Sequence, residues 1–185
     1  KKFDLREVYY GLDCQMLLYL FTLERNGGHL FSQGTAAGVE YLWADPAPEN
    51  IIRPETDDAE PLQAQNYPLE GLLLDEPSIY HAMDTRGTGA FVPLSFSAKT
   101  GEPTAQSAKA RLADREKFNR IRDHLDGMLT DMAKNLYSGE IDAAPLVPNA
   151  GKSPCLWCEY RTVCRHADGE GERTPLKPDD PFGAE

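Results

Sequence analysis

Three of the four cysteines of this 185-residue chain fall within one short stretch, "PCLWCEYRTVC". They are Cys155, Cys158 and Cys164, spaced C-x2-C-x5-C. Thiolates are soft ligands, suited to zinc or to iron–sulfur clusters. Two cysteines two residues apart can grip one site from a single turn, and the third can close over it from the next. Most sulfur-bound centres need a fourth ligand, and within the chain the candidates are His166 and Cys14. His166 is close in sequence, and zinc sites of the Cys3His type are known. Cys14 lies in an apolar, helical stretch, where a cysteine reads as a small core residue. The alternative to ligation is three free thiols near a chain end. Ligation would also explain how a proline-containing end stays folded down, because metal-binding free energy becomes folding free energy.

A second pair that could do chemistry is Gln15 and Tyr19, in "QMLLY". Four residues apart, they share one face of a helix, and Val8, Leu12 and Leu23 fall on the same face. A glutamine buried there must find a hydrogen-bond partner or cost roughly 1–3 kcal/mol. A metal-bound water, a substrate phosphate or a backbone group could serve. A satisfied core glutamine is the structural reading. Elsewhere the chain is poor in catalytic patterns. The acids of "ADREKF" sit at a helix start and read as dipole partners. No phosphate loop of the G-x-x-x-x-G-K-[ST] type is present, which excludes an ATPase of that kind. His29, His81, His124 and His166 form no zincin or triad pattern.

These residues need elements to position them. "FDLREVYYGLDCQMLLYLFTLERNGG" predicts one helix over residues 5–26, with Asp4 and Glu7 as a capping box, Phe3 and Val8 as a hydrophobic staple, and Gly27-Gly28 as its end. "AAGVEYLWA" predicts a strand over 36–44, and "GAFVPLSFSA" a second over 89–98, with Pro93 suggesting an edge. Between them, residues 45–68 are rich in proline and acid and read as a loop. "EGLLLDEPSIYHAMD" predicts a short helix begun by Asp75 or Glu76, with Pro77 in its first turn. Phe118, Ile121, Leu125, Met128, Met132 and Leu136 recur at three- and four-residue steps, so a long helix is predicted over 114–137, stopped by Ser138-Gly139. Residues 166–185 are polar, with Gly and Pro, and are expected to form a disordered tail.

Composition bounds the rest. Hydrophobic residues make up 41% and charged residues 26%, ordinary for a globular domain. No apolar run is long enough to cross a bilayer, and no secretory signal is visible, so a cytoplasmic location and no membrane partner are expected. The net charge of −11 argues against binding nucleic acid through a generally basic surface. The charge is uneven: residues 40–84 hold eleven acids against one base, and residues 109–122 hold six bases against two acids. The basic stretch, with Lys109, Arg111, Arg115 and Arg120, is the candidate DNA contact. The start "KKFDL", with no Met and an immediate helix signal, suggests a piece of something longer.

Taken together, "FDLREVYYGLDCQMLLYL", "DHLDGMLTDMAKNLYSGEIDAAPL" and "PCLWCEYRTVC" resemble the C-terminal nuclease domain of the AddB-type subunits of bacterial helicase–nucleases, within the RecB-like PD-(D/E)XK nucleases. The resemblance covers residues 3–165. It implies the C-terminal part of a restriction-endonuclease-like α/β fold, with long helices packed on a small mixed sheet, a partial nuclease domain over 1–165, DNA as substrate and an AddA-type subunit as partner. Gln15 and Tyr19 would match the family's Q-x-x-x-Y motif. Cys155, Cys158 and Cys164 would match three ligands of a [4Fe–4S] cluster whose fourth cysteine lies upstream. The family's Mg²⁺-binding acids and central-strand Asp and Lys also precede the Q-x-x-x-Y helix and are absent from this chain. Such a piece is expected not to cut DNA alone. The rival expectation is a zinc- or cluster-stabilised interaction domain without catalysis.

Overall fold

A computed structural model of the chain describes residues 3–29, 34–42, 69–147, 153–166, 171–175 and 180–183. The acidic loop expected over 45–68 lies outside the described residues. The first helix is two helices. Helix α1 spans Leu5–Tyr9 and α2 spans Gln15–Asn26. Asp4 caps α1 as expected, accepting from the Arg6 N–H at 2.9 Å. The helix then breaks at Gly11, whose φ of 78° is left-handed, and at Asp13, also at positive φ. A Cβ on Gly11 would sit 2.8 Å from Met128 Sδ, so the turn exists where the chain passes close to the long C-terminal helix. Hydrophobic periodicity ran through this turn and hid it.

Strand β1 spans Gly38–Leu42 and β2 spans Leu69–Leu74. They pair antiparallel, with Val39 opposite Leu72 and Glu40 opposite Gly71. The two-residue β3, Leu112–Ala113, lies parallel to the end of β2. The sheet order is β1-β2-β3, a small mixed sheet as the fold class requires. Sequence reading missed β2. Its run "GLLL" is buried on both faces, and such a run lacks the alternation that marks a half-exposed strand.

Helix α3, Pro77–Met83, starts after Glu76 with Pro77 in its first turn, as expected. The strand expected over 89–98 does not form; only an isolated Phe96–Pro103 bridge is present. The Asp84 carboxylate takes the Gly89 and Ala90 N–H groups at 2.7 and 3.2 Å, so these donors are lost to any ladder. The apolar alternation still buries Val92 and Leu94. Helix α4, Ala105–Arg111, unanticipated, is capped by Thr104. Helix α5, Arg115–Ser138, matches the expected long helix. Asp114 caps it, accepting from Lys117 N at 2.6 Å, and Gly139 ends it in the left-handed conformation.

Two cores flank the sheet. On one side Val8, Leu17, Phe21, Val39, Leu72, Phe118, Ile121 and Leu125 join α1, α2 and α5 to the strands. On the other, Leu73, Tyr80, Val92, Leu94 and Leu112 pack together. The tail departs from expectation too. Arg173 pairs with the 145–147 segment, and Phe182 is buried in the first core. An aromatic side chain in a polar tail supplies enough apolar area to hold it down.

Candidate functional site

Gln15 opens α2 and Tyr19 follows one turn later. Leu17 and Phe21 anchor α2 in the core, which turns positions 15, 19 and 23 outward. Gln15 Nε2 donates to Tyr19 Oη at 2.8 Å. The glutamine's partner is therefore its own motif mate. The pair is exposed, Tyr19 by 55%, so no burial cost has to be offset. Leu12, Met16 and Leu23 share this open surface. Val8, expected on the same face, is in the separate helix α1 and is fully buried. An amide and a phenol joined on a helix surface can hydrogen-bond phosphate oxygens or metal-bound water through the amide N–H and phenol O–H left over.

The cysteines lie on consecutive short turns. A 3-10 turn, Pro154–Trp157, carries Cys155 and is capped by Ser153. Cys158 follows it, and Cys164 ends the one-turn helix α6, Arg161–Cys164. All are free thiols; Cys155 is half-buried, and Cys158 and Cys164 are exposed. Their donor chemistry fits zinc or an iron–sulfur cluster. Among the described residues, however, no three His, Cys, Asp or Glu side chains are gathered closely enough to hold a metal ion. The three thiols fit a centre only with a further ligand and a modest closing of the loop. His166 Nε2 is shielded from water without a hydrogen-bond partner. Cys14, expected in mid-helix, is the residue before α2; it packs against the core, and its thiol reaches the Gly11 carbonyl at 3.5 Å.

The basic stretch divides. Arg111 is ion-paired with Glu70, both largely shielded. Lys117 reaches Asp180 at 2.8 Å. Arg120 Nε donates to the Phe182 carbonyl at 2.9 Å. Lys109 and Arg115 are exposed, with no ion pair among the described residues. Half of the four residues expected to meet DNA are thus committed to internal partners, which periodicity and charge counts could not reveal.

One acid stands out that sequence reading did not single out. Glu40 lies on β1 with Oε1 buried and unpartnered. Burial pushes its carboxyl up from the usual glutamate range. Its neighbours Val39 and Tyr41 face the α2 side, so Glu40 points to the other face of the sheet, away from Gln15 and Tyr19.

Comparison with known proteins gives a consistent picture. The model of the PD-(D/E)XK nuclease superfamily matches residues 1–165. The ATP-dependent helicase/deoxyribonuclease subunit of the AddB type from Exiguobacterium sibiricum is 29% identical over 172 residues, covering 89% of this chain and 15% of that protein. The proteins of the same name from Clostridium botulinum strain Loch Maree and from Thermoanaerobacter sp. strain X514 are 28% and 30% identical, each over 89% of this chain and 14% of theirs. The chain spans about one seventh of the length of these relatives. With the mixed sheet and the α2 wall in place, the chain belongs to the PD-(D/E)XK nuclease superfamily.

Proposed function

We propose that this chain supplies one wall and the cysteine-bearing closure of a DNA-cleaving domain, within an AddB-type helicase/deoxyribonuclease. The observation that carries this reading is the Gln15–Tyr19 pair, hydrogen-bonded and outward-facing on a helix that the core holds rigidly. Its remaining donors would orient a phosphodiester or a metal-bound water, so that the attacked bond is held in line before cleavage. Magnesium, held by carboxylates outside these residues, would supply an activated water and charge neutralisation when bound. The parent would hydrolyse DNA during break repair in the cytoplasm, together with an AddA-type partner. Among the described residues no helix is long and apolar enough to cross a membrane.

Cys155, Cys158 and Cys164 would hold a [4Fe–4S] cluster with a fourth thiolate from outside these residues. The cluster would act as a staple on the end of the domain. A second reading, zinc with His166 as fourth ligand, is favoured by the buried, unpartnered His166 Nε2. Colour and metal analysis of anaerobically purified protein separate the two: brown with iron and sulfide, or colourless with zinc.

The test of function uses the intact parent. Gln15→Ala and Tyr19→Phe are expected to lower Mg²⁺-dependent DNA cleavage by about 10- to 1000-fold, with ATP hydrolysis and DNA affinity preserved. Undiminished cleavage in both variants refutes the role. The 185-residue chain alone is expected to leave DNA uncut. Mg²⁺-dependent cutting by it refutes the assignment of the metal-binding acids to residues outside it.

A further inference from the structure

The tail sequence "DDPFGAE" looks like solvated filler, yet part of it occupies a shaped socket. Asp180, Pro181, Phe182 and Gly183 form a tight turn in which Gly183 N donates to the Asp180 carbonyl at 3.2 Å. Asp180 Oδ1 also accepts from Phe182 N at 3.3 Å. Asp at the first position, Pro at the second and Gly at the fourth are what such a turn favours, so the segment is set in shape before it docks.

Three kinds of contact hold it. The Phe182 ring is 4% exposed and meets Tyr9 of α1 and His124 of α5 edge-on, with centroids 5.7 and 5.5 Å apart. The Phe182 carbonyl accepts from Arg120 Nε at 2.9 Å. The Asp180 carboxylate meets Lys117 Nζ at 2.8 Å. Lys117 and Arg120 are three apart on α5, so one helix face reads both the acid and the carbonyl. The socket wall is itself tied: His124 Nε2 donates to the Tyr9 carbonyl at 2.8 Å, and the two rings stack. Apolar ring, directional carbonyl and paired charge converge on three consecutive residues.

We propose that the cleft between α1 and α5 is a peptide-recognition site whose ligand is the chain's own Asp180-Pro181-Phe182. The consequence reaches the cysteines. Arg173 donates to the Pro145 carbonyl and accepts from Val147, each at 2.9 Å, and its Nε reaches the Ala144 carbonyl at 2.9 Å. The cysteine segment is therefore a loop, closed at its base by this pairing and latched beyond it by the Phe182 hook. The clasp needs no metal and does not depend on the nuclease reading.

The test uses the full chain with Phe182→Ala, which empties the socket, and the capped tetrapeptide acetyl-Asp-Pro-Phe-Gly-amide followed by NMR. Saturable shifts of the Tyr9, Arg120 and His124 signals are expected in the variant and not in the unmodified chain, whose socket is filled. The Asp-Pro-Ala-Gly peptide should give none, and Asn-Pro-Phe-Gly should bind about five-fold more weakly. Equal responses from both chains, or from the Ala peptide, overturn the proposal. Should Phe182→Ala fail to fold, Asp180→Asn keeps the ring, and carboxypeptidase trimming of the tail reads the latch. Trimming is expected to be several-fold faster than in the unmodified chain in dilute buffer. The difference should fade near 1 M salt, where the screening length is about 3 Å. Equal trimming in dilute buffer overturns the charged half of the latch.

Discussion

Two carboxylates show how placement sets opposite pH behaviour. Asp84 is 1% exposed. Burial alone would raise its carboxyl, but N–H groups of Gly89, Thr88 and Arg86 and the Thr88 hydroxyl outweigh it and hold the group below the ordinary aspartate range. Its stabilising contribution is complete above the unfolded value of about 3.9 and is lost as pH falls through the lower folded value. Asp84→Asn is expected to cost roughly 1–3 kcal/mol at neutral pH, with the gap to the unmodified chain narrowing on acidification. Urea unfolding across pH measures both. Glu40 has the reverse sign: its raised folded value means stability is lost as pH climbs from about 4.3 through that value. Glu40→Gln should therefore be the more stable chain at neutral pH and indistinguishable in acid; a loss at neutral pH would show that the carboxylate has a partner. In the basic stretch, exposure divides outcomes similarly. Arg115→Glu in the intact parent is expected to weaken DNA binding and flatten its salt dependence. Arg120→Glu should first destabilise the chain, because it breaks the Phe182 contact.

At the scale of elements, the turn between α1 and α2 governs how the Gln15–Tyr19 face is aimed. Gly11→Ala is expected to cost about 1–2 kcal/mol for its left-handed backbone. The Met128 thioether is flexible and can withdraw from the new methyl. Gly28→Ala is the control: the methyl it gains would meet nothing, and it should change stability by less than about 0.5 kcal/mol. Equal costs at the two positions would show that the turn is not strained. This turn also marks the limit of what the residues disclose. Asp4, Asp114 and Gly139 announced their caps, and Phe118, Ile121 and Leu125 announced the buried face of α5, because capping and 3.6-residue periodicity are local. Gly11 was readable only as one glycine in an apolar run. The buried run of β2 has no period to distinguish strand from helix, and the 89–98 strand was forestalled by Asp84, a partner outside the window. The site followed the same rule. Gln15 and Tyr19 on one face were legible from spacing, whereas the commitment of Arg111 to Glu70 and of Arg120 to the tail depends on contacts distant in sequence.

For the whole molecule, the apolar surface is unevenly covered. The two cores close around the sheet, but Leu12, Met16 and Leu23 remain open on α2, as do Met132 and Leu136 on the distal half of α5, the last by 76%. Half-exposed aliphatic groups in a row attract one another whenever charge permits. The net charge of −11 opposes approach between copies in dilute buffer. Salt shortens the range of that repulsion from about 10 Å at 0.1 M to about 3 Å at 1 M, and leaves apolar attraction in place. The chain is therefore expected to sediment as a smaller species at low salt and to associate reversibly as salt rises. Leu23→Glu with Leu136→Glu should abolish that rise, since each places a charge in an open apolar row. Neither should change unfolding free energy by more than about 0.5 kcal/mol, because Leu17, Phe21, Ile121 and Leu125, which anchor the two helices, are untouched. If the double variant associates with salt as readily as the unmodified chain, the attraction lies elsewhere, and the exposed Trp157 of the cysteine loop is the next surface to charge.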